Sequence, residues 1–413
     1  MSESALPQPA AVPNPPATQT DDPSASRWSV RWIALGLLPL VLLAGVIALI
    51  VATDAGLGDR NAPPIETLNV QRVTLPEPNR IVLSVVNDGP DEITIAQVMV
   101  DDAYWQYTLD GPRTLDRLES TTIDIPYPWV QDEAHAIAIV SSTGVVFDAE
   151  VPVAIESPET NSSTVARFAL IGTYVGVIPV ALGLLWYPFM RRLGSGGMRF
   201  ILALTIGLLA FLAVDMWEEA REVALGAPAA YDGAVLVPMV ALLSFLLLIA
   251  VSNRKRGAPR RGLDVAYQIA LGIGLHNLGE GLAIGAAFAL GEVALGVFLV
   301  IGFTLHNVTE GVGIAAPILR ERPPLAHFAW LALLAGAPAI LGVWIGGFIY
   351  SPLWTTIFLA IGIGAIAQVV VEVTRIVMRG AERDNVPWLN WTTFGGVTAG
   401  IAVMYATALF VAA

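Results

Sequence analysis

The sequence predicts an all-α polytopic membrane bundle of eight helices plus one N-terminal anchor helix, with an all-β sandwich of immunoglobulin-like type inserted outside the membrane. Three observations predict it. Apolar runs of about twenty residues, the length that crosses a hydrocarbon core, recur through a 413-residue chain that is 55% hydrophobic with mean hydropathy +0.65. Arginines fall on alternate connections between those runs. One segment, residues 62–158, drops the long apolar runs for short alternating stretches broken by turn residues.

Residues 1–31 open with "MSESALPQPAAVPNPPATQTDDPSAS", rich in Pro, Ala and Ser and poor in large apolar groups, and read as a disordered cytoplasmic tail. The apolar run of the anchor, residues 32–53, exceeds the roughly 7–15 residues of a secretory core, which favours an uncleaved helix over a signal peptide. Arg27 and Arg31 stay on the cytoplasmic side by the positive-inside rule, so residues 54–163 lie outside. There, "RIVLSVVNDGPDEITIAQVMVDD", "STTIDIPYPW" and "EAHAIAIVSSTGVVFDAEVPVAI" alternate apolar and polar residues around "NDGPDE" and "SSTG" turns, as antiparallel strands do. The segment 59–159 carries 18 acidic and 5 basic residues, which accounts for the whole formal charge of −13. A solvated face explains that acidity, and His135 reads as ordinary surface chemistry.

Residues 164–413 hold eight further spans, near 167–189, 199–221, 234–252, 264–289, 293–318, 326–349, 353–377 and 390–412. Arg191 with Arg192, the run "RKRGAPRR" from Arg254, Arg320 with Arg322, and Arg375, Arg379 with Arg383 all fall on the anchor's cytoplasmic side, leaving the C-terminus outside. The chain has no cysteine, so a metal site here must use His, carboxylate or amide groups.

The fourth and fifth of these spans carry "GLHNLGEGLAIGAA" and "TLHNVTEGVGIAAP". A charge at mid-membrane costs at least about 2.5–3.5 kcal/mol, so such groups face a cavity, a partner or an ion. On a helix, His276, Asn277 and Glu280 share one side, as do His306, Asn307 and Glu310, at i, i+1 and i+4. The connector near Gly291 makes the two spans antiparallel neighbours, and counting at about 1.5 Å per residue puts the two sets at overlapping depth. Gly274, Gly279, Gly281, Gly311 and Gly313 admit neighbouring helices closely. Two imidazoles, two carboxylates and amide oxygens suit a divalent ion of the zinc, iron or manganese class. One such pair would only glue helices together; two at matching depth point to metal. Further candidates for a pathway or second site are Asp215, Glu218 and Glu219 on the second bundle span, with Asp215 deepest, and Gln368 and Glu372 on the seventh, where Glu372 has Arg375 or Arg379 as an alternative partner.

The repeated motif resembles that of the ZIP (Zrt/Irt-like protein) transporters, whose fourth transmembrane helix carries HNxPEG and whose fifth carries a related H-x-x-x-E pattern. The resemblance covers about residues 165–413, with Gly279 and Thr309 where the family has proline, no carboxylate or second His in the middle of the sixth span, and a basic rather than His-rich loop after the third. It implies an eight-helix transport domain with His276, Asn277, Glu280, His306, Asn307 and Glu310 as metal ligands on a path into the cytoplasm. The expected function is secondary transport of a divalent metal substrate, Zn or else Fe or Mn, across the plasma membrane, without enzymatic activity. A metal-sensing receptor without flux and an intramembrane metal-dependent hydrolase are the alternatives, although no HExxH or nucleophile motif is present. Expected partners are divalent metal ions, the lipid bilayer and a second copy of the chain as a homodimer; nucleic acid is not among them, and no ectodomain partner is legible.

Overall fold

A computed structural model describes residues 30–53, 63–253 and 262–412. The expected N-terminal tail and the run "RKRGAPRR" fall almost wholly outside them. The chain divides into two units, residues 1–63 and 64–413. In the first, α1 (Val30–Ala52) is one apolar helix with Pro39 inside it. Among the described residues nine helical spans have the length and hydropathy to cross a membrane, each within a few residues of the expected bounds.

The second unit begins with strands. β1 (Leu68–Glu77), β2 (Arg80–Asn87), β7 (Ser120–Ile125) and β5 (Thr108–Asp110) form one antiparallel sheet in the order β1-β2-β7-β5. β4 (Ala103–Trp105), β3 (Ile93–Val100), β8 (His135–Ser141) and β9 (Val146–Val151) form the other, with β6 (Thr114–Leu115) paired to β3. Alternation places Ile81, Leu83 and Val85 of β2, Ile123 and Ile125 of β7, and Ile137 and Ile139 of β8 in one apolar core between the sheets. On β3 the inward residues are Ile93 and Ile95, then Val98 and Val100: a bulge between Ile95 and Gln97 resets the alternation. β1 is longer than its sequence pattern signals, because its two register shifts against β2 blur the alternation.

His135 departs from the surface reading. It is 3% exposed, the first residue of β8, with Nδ1 2.8 Å from Asp101 Oδ2 and Nε2 accepting the Val130 N–H at 3.3 Å. Asp101 also accepts from the Tyr127 hydroxyl at 2.7 Å and the Ala136 N–H at 3.0 Å. These bonds tie the turn after β3 to β8, which a solvated histidine would not do.

The bundle follows. Its first span comprises α2 (Ser162–Gly172), a π-helical turn (Thr173–Val177), α3 (Ile178–Leu184) and α4 (Tyr187–Met190). Then come α5 (Ser195–Ala224), α6 (Gly233–Asn253), α7 (Gly262–Ala289), α8 (Val293–Ala315), α9 (Leu325–Ile349), α10 (Pro352–Arg383) and α11 (Trp391–Ala412). Two seams bring backbones together around the motif helices. A Cβ at Gly281 of α7 would lie 2.9 Å from Gly342 Cα of α9, and one at Gly311 of α8 would lie 2.8 Å from Gly183 Cα of α3, so only glycine fits there. The left-handed Gly291 (φ 79°) turns α7 into α8.

The β region sits against one end of the bundle. The Arg72 guanidinium donates to Phe348 O at 2.6 Å and Gly347 O at 3.2 Å, capping the C-terminal carbonyls of α9. Asp88 accepts from the N–H groups of Ala229 (2.6 Å) and Ala230 (3.1 Å) between α5 and α6, and Ile155 packs on Gly291. Arg191, Arg320, Arg322, Arg379 and Arg383 lie on helix ends and connections at the opposite end.

Candidate metal centre

The two motifs meet. His276, Asn277 and Glu280 of α7 and His306, Asn307 and Glu310 of α8 are all buried, none more than 6% exposed. Glu280 is the hinge between them. Its Oε1 lies 2.8 Å from His276 Nε2 and in contact with His306 Nε2, while its Oε2 accepts from Asn307 Nδ2 at 3.0 Å. Glu310 Oε1 stands 4.0 Å from His276 Nε2, and the two imidazole centroids are 6.0 Å apart. The donor atoms of His276, Glu280 and His306 all lie within 4.8 Å of one another, close enough to ligate a single ion.

The helices around the site hold it from below the first layer of side chains. Pro179 lacks the N–H that would bond Val175 O four residues back, and that carbonyl instead accepts Asn307 Nδ2 at 2.9 Å. On α9, Asn277 Nδ2 donates to Ala335 O at 2.9 Å, one position beyond Leu334 O, the carbonyl that Pro338 leaves without an amide donor. Thr309 Oγ1 donates to His306 O at 2.6 Å, the local back-bonding that stands in for a motif proline. Each asparagine nitrogen is thereby fastened to a neighbouring helix, and Asn307 Nδ2 also donates to Glu280, while both amide oxygens stay buried without a hydrogen-bond partner.

Those oxygens decide the chemistry. Asn277 Oδ1, Asn307 Oδ1 and both carboxylate oxygens of Glu310 are buried and have no hydrogen-bond partner; His276 Nε2 is at ion-pair distance from Glu280 without hydrogen-bonding alignment. Asn277 stands near Glu310 in the same way, close but unaligned. A buried acceptor without a donor costs about 1–3 kcal/mol, more if charged. With neutral imidazoles the two carboxylates carry a charge that one divalent cation balances, and mixed N/O donors of this kind suit a borderline metal. A cation held by His276, Glu280 and His306, whose donor atoms already converge, would offset the carboxylate charge buried there.

The other candidate residues separate. Asp215 is exposed on α5, and Glu218 is exposed and paired with Arg221 at 3.1 Å, so Asp215 does not lie deepest in the packing. Glu219, one turn on from Asp215 and about 40° round the helix, is half-buried and within electrostatic range of His276 and Glu280. Gln368 and Glu372 are buried at 5% and 3% on α10, and Glu372 is ion-paired with Arg375 at 3.2 Å. Sequence reading missed Gln268, whose buried Oε1 has no hydrogen-bond partner. Its position eight residues before His276, on the same helical side, was the available signal. Gly272, between them, packs on Val369 of α10 at 3.5 Å, which sets Gln268 near the level of Glu372. Pro179 was also missed; a proline inside an apolar run marks the carbonyl four residues back as free for such anchoring.

No protein-family model matches the chain, and no curated protein does. Among solved structures, the archaellum periplasmic stator protein FlaG from Sulfolobus acidocaldarius is 16% identical, covering 21% of this chain and 99% of that one at a TM-score of 0.19.

Proposed function

We propose that the chain is a ZIP-like secondary transporter that carries a divalent metal ion, zinc or else iron or manganese, across the plasma membrane into the cytoplasm. One observation carries this reading: His276 and Glu280 of one span and His306 of its antiparallel neighbour bring their donor atoms within 4.8 Å of one another inside a membrane bundle, with Glu310 Oε1 4.0 Å from His276 Nε2. In this reading the β region is an immunoglobulin-like ectodomain on the extracytoplasmic side and the arginine-bearing end is cytoplasmic. Glu219 receives the ion from the outer side, and Gln268, Gln368 and Glu372 line its way in. Moderate N/O ligation without thiolates permits release, and rocking of helix groups about the site provides alternating access.

Uptake of Zn²⁺, Fe²⁺ and Mn²⁺ into vesicles containing the purified chain tests it. The expected result is saturable uptake of at least one ion, abolished by His276→Ala and by Glu310→Ala in protein that still elutes as a monodisperse species. Metal retention without uptake would transfer the reading to a sensor, and metal-dependent turnover of a lipid or peptide to a hydrolase.

A further inference from the structure

At the arginine-bearing end, residues 181–191 and the first turns of α9 leave between them a crevice of about 420 Å³. Leu184, Phe328 and Ala332 form its apolar wall. Its lip is exposed toward the surroundings of the bundle, Leu185 to 71% and Leu325 to 85%. Arg191 and Arg322 stand where the crevice reaches the end of the bundle, and no acidic residue lines it. We propose that this crevice binds one anionic phospholipid, its phosphate held between Arg191 and Arg322 and an acyl chain laid along the apolar wall.

Three features of the crevice fit that ligand and no simpler one. First, its length: from Leu325 to Ala332 the wall follows α9 for about 10 Å, at about 1.5 Å per residue, from headgroup level into the hydrocarbon layer. A free anion would use only the arginine end. Second, its charge is held in place. Arg191 lies over the Tyr187 ring, 5.6 Å from the centroid, and Tyr187 in turn packs edge-on against Phe328 at 4.9 Å and donates its hydroxyl proton to Glu321 O. The aromatic pair therefore links the guanidinium to the apolar wall as one unit. Third, the adjacent carboxylate is engaged elsewhere. Glu321 accepts from the N–H groups of Gly262 (2.6 Å) and Leu263 (3.2 Å) at the start of α7, so it does not neutralise Arg322. Basic pockets between membrane helices at headgroup depth are recognised by anionic lipids, and the volume falls within the roughly 300–1,000 Å³ of ligand sites. The proposal does not depend on the metal reading, since the crevice shares no residue with that site.

Native mass spectrometry of the full purified chain, offered phosphatidylglycerol, phosphatidylcholine or inorganic phosphate, tests it. The expected result is retention of one phosphatidylglycerol in preference to phosphatidylcholine, with no displacement by millimolar phosphate. The double change Arg191→Gln with Arg322→Gln should weaken that retention about thirtyfold, while Arg192→Gln, which lies outside the crevice, should leave it unaltered. Should the double variant not be recovered folded, Ala329→Trp, which fills the crevice, carries the same expectation. Equal retention of both lipids, an equal loss with Arg192→Gln, or occupancy by inorganic phosphate in place of lipid would each overturn the proposal.

Discussion

Three asparagines among the described residues are fully buried, Asn87 in the β region and Asn277 and Asn307 in the bundle, and their hydrogen bonding differs. Asn87 donates to Asp91 O at 2.8 Å and Leu115 O at 2.9 Å and accepts the Gly89 N–H at 2.9 Å, so both ends of its amide are engaged by the turn it organises. The two bundle asparagines donate to backbone carbonyls but leave their oxygens without a donor, beside two carboxylates of which one is also without a partner. In the β region a buried amide closes a structure. In the bundle the same side chain is fastened through its nitrogen and keeps its oxygen without a donor. Burial alone therefore does not separate structural from ligand-binding polar groups; the count of satisfied atoms does.

The largest effect that would break the comparison concerns the frame that both motif helices need. Gly281→Leu forces a side chain into the α9 backbone, and we expect loss of the folded bundle, at least about 3 kcal/mol, read by size-exclusion chromatography and thermal denaturation. The two kinds of buried polar group should then respond in opposite ways. Asn87→Ala should destabilise the chain by about 3 kcal/mol whether or not metal is present, because it strands groups that it now satisfies. Glu310→Gln should leave the metal-free chain as stable or slightly more so, since it removes an uncompensated buried charge. It should also remove the stabilisation of about 2.7 kcal/mol that metal at a hundredfold excess over Kd confers on the unaltered chain. Thermal shifts with and without Zn²⁺ measure both.

The smallest effect is a pH dependence confined to the β region. Partial burial opposes ionisation of Asp101, but its bonds from Tyr127, His135 and the Ala136 N–H outweigh that and hold its carboxyl below the ordinary 3.8. The same bond pushes the Tyr127 hydroxyl up to about 12. A lowered folded-state value means the stabilisation is complete above the unfolded-state value and is lost as pH falls through the folded one. Asp101→Asn should flatten the denaturation midpoint against pH below about 4 and leave metal binding unaltered.

Much of this architecture was legible before any coordinates. Hydropathy marked all nine spans because lipid admits so few backbone solutions. The 3.6-residue period put each His-Asn-Glu set on one side of its helix, and the short connector put the two sets at overlapping depth; that the two sides face one another depends on how α7 and α8 pack. What stayed hidden depends on contacts between distant segments. Pro179 marks the Val175 carbonyl as free but not which side chain takes it up, nothing local to Ala335 announces its asparagine, and nothing around His135 announces a partner 34 positions away. On α5, position along the helix sets how far a carboxylate lies from its ends, whereas the side it occupies, with Asp215 exposed and Glu219 half-buried, depends on how α5 packs.

The central claim is that His276 and His306 ligate the same cation together with Glu280. X-ray absorption at the zinc edge of the metal-loaded chain tests this most directly. Coordination by nitrogen and oxygen at about 2.0–2.1 Å with imidazole scattering beyond it, reduced by about half in His306→Ala, is the predicted result. A spectrum with no imidazole contribution, or one unchanged by His306→Ala, would contradict it.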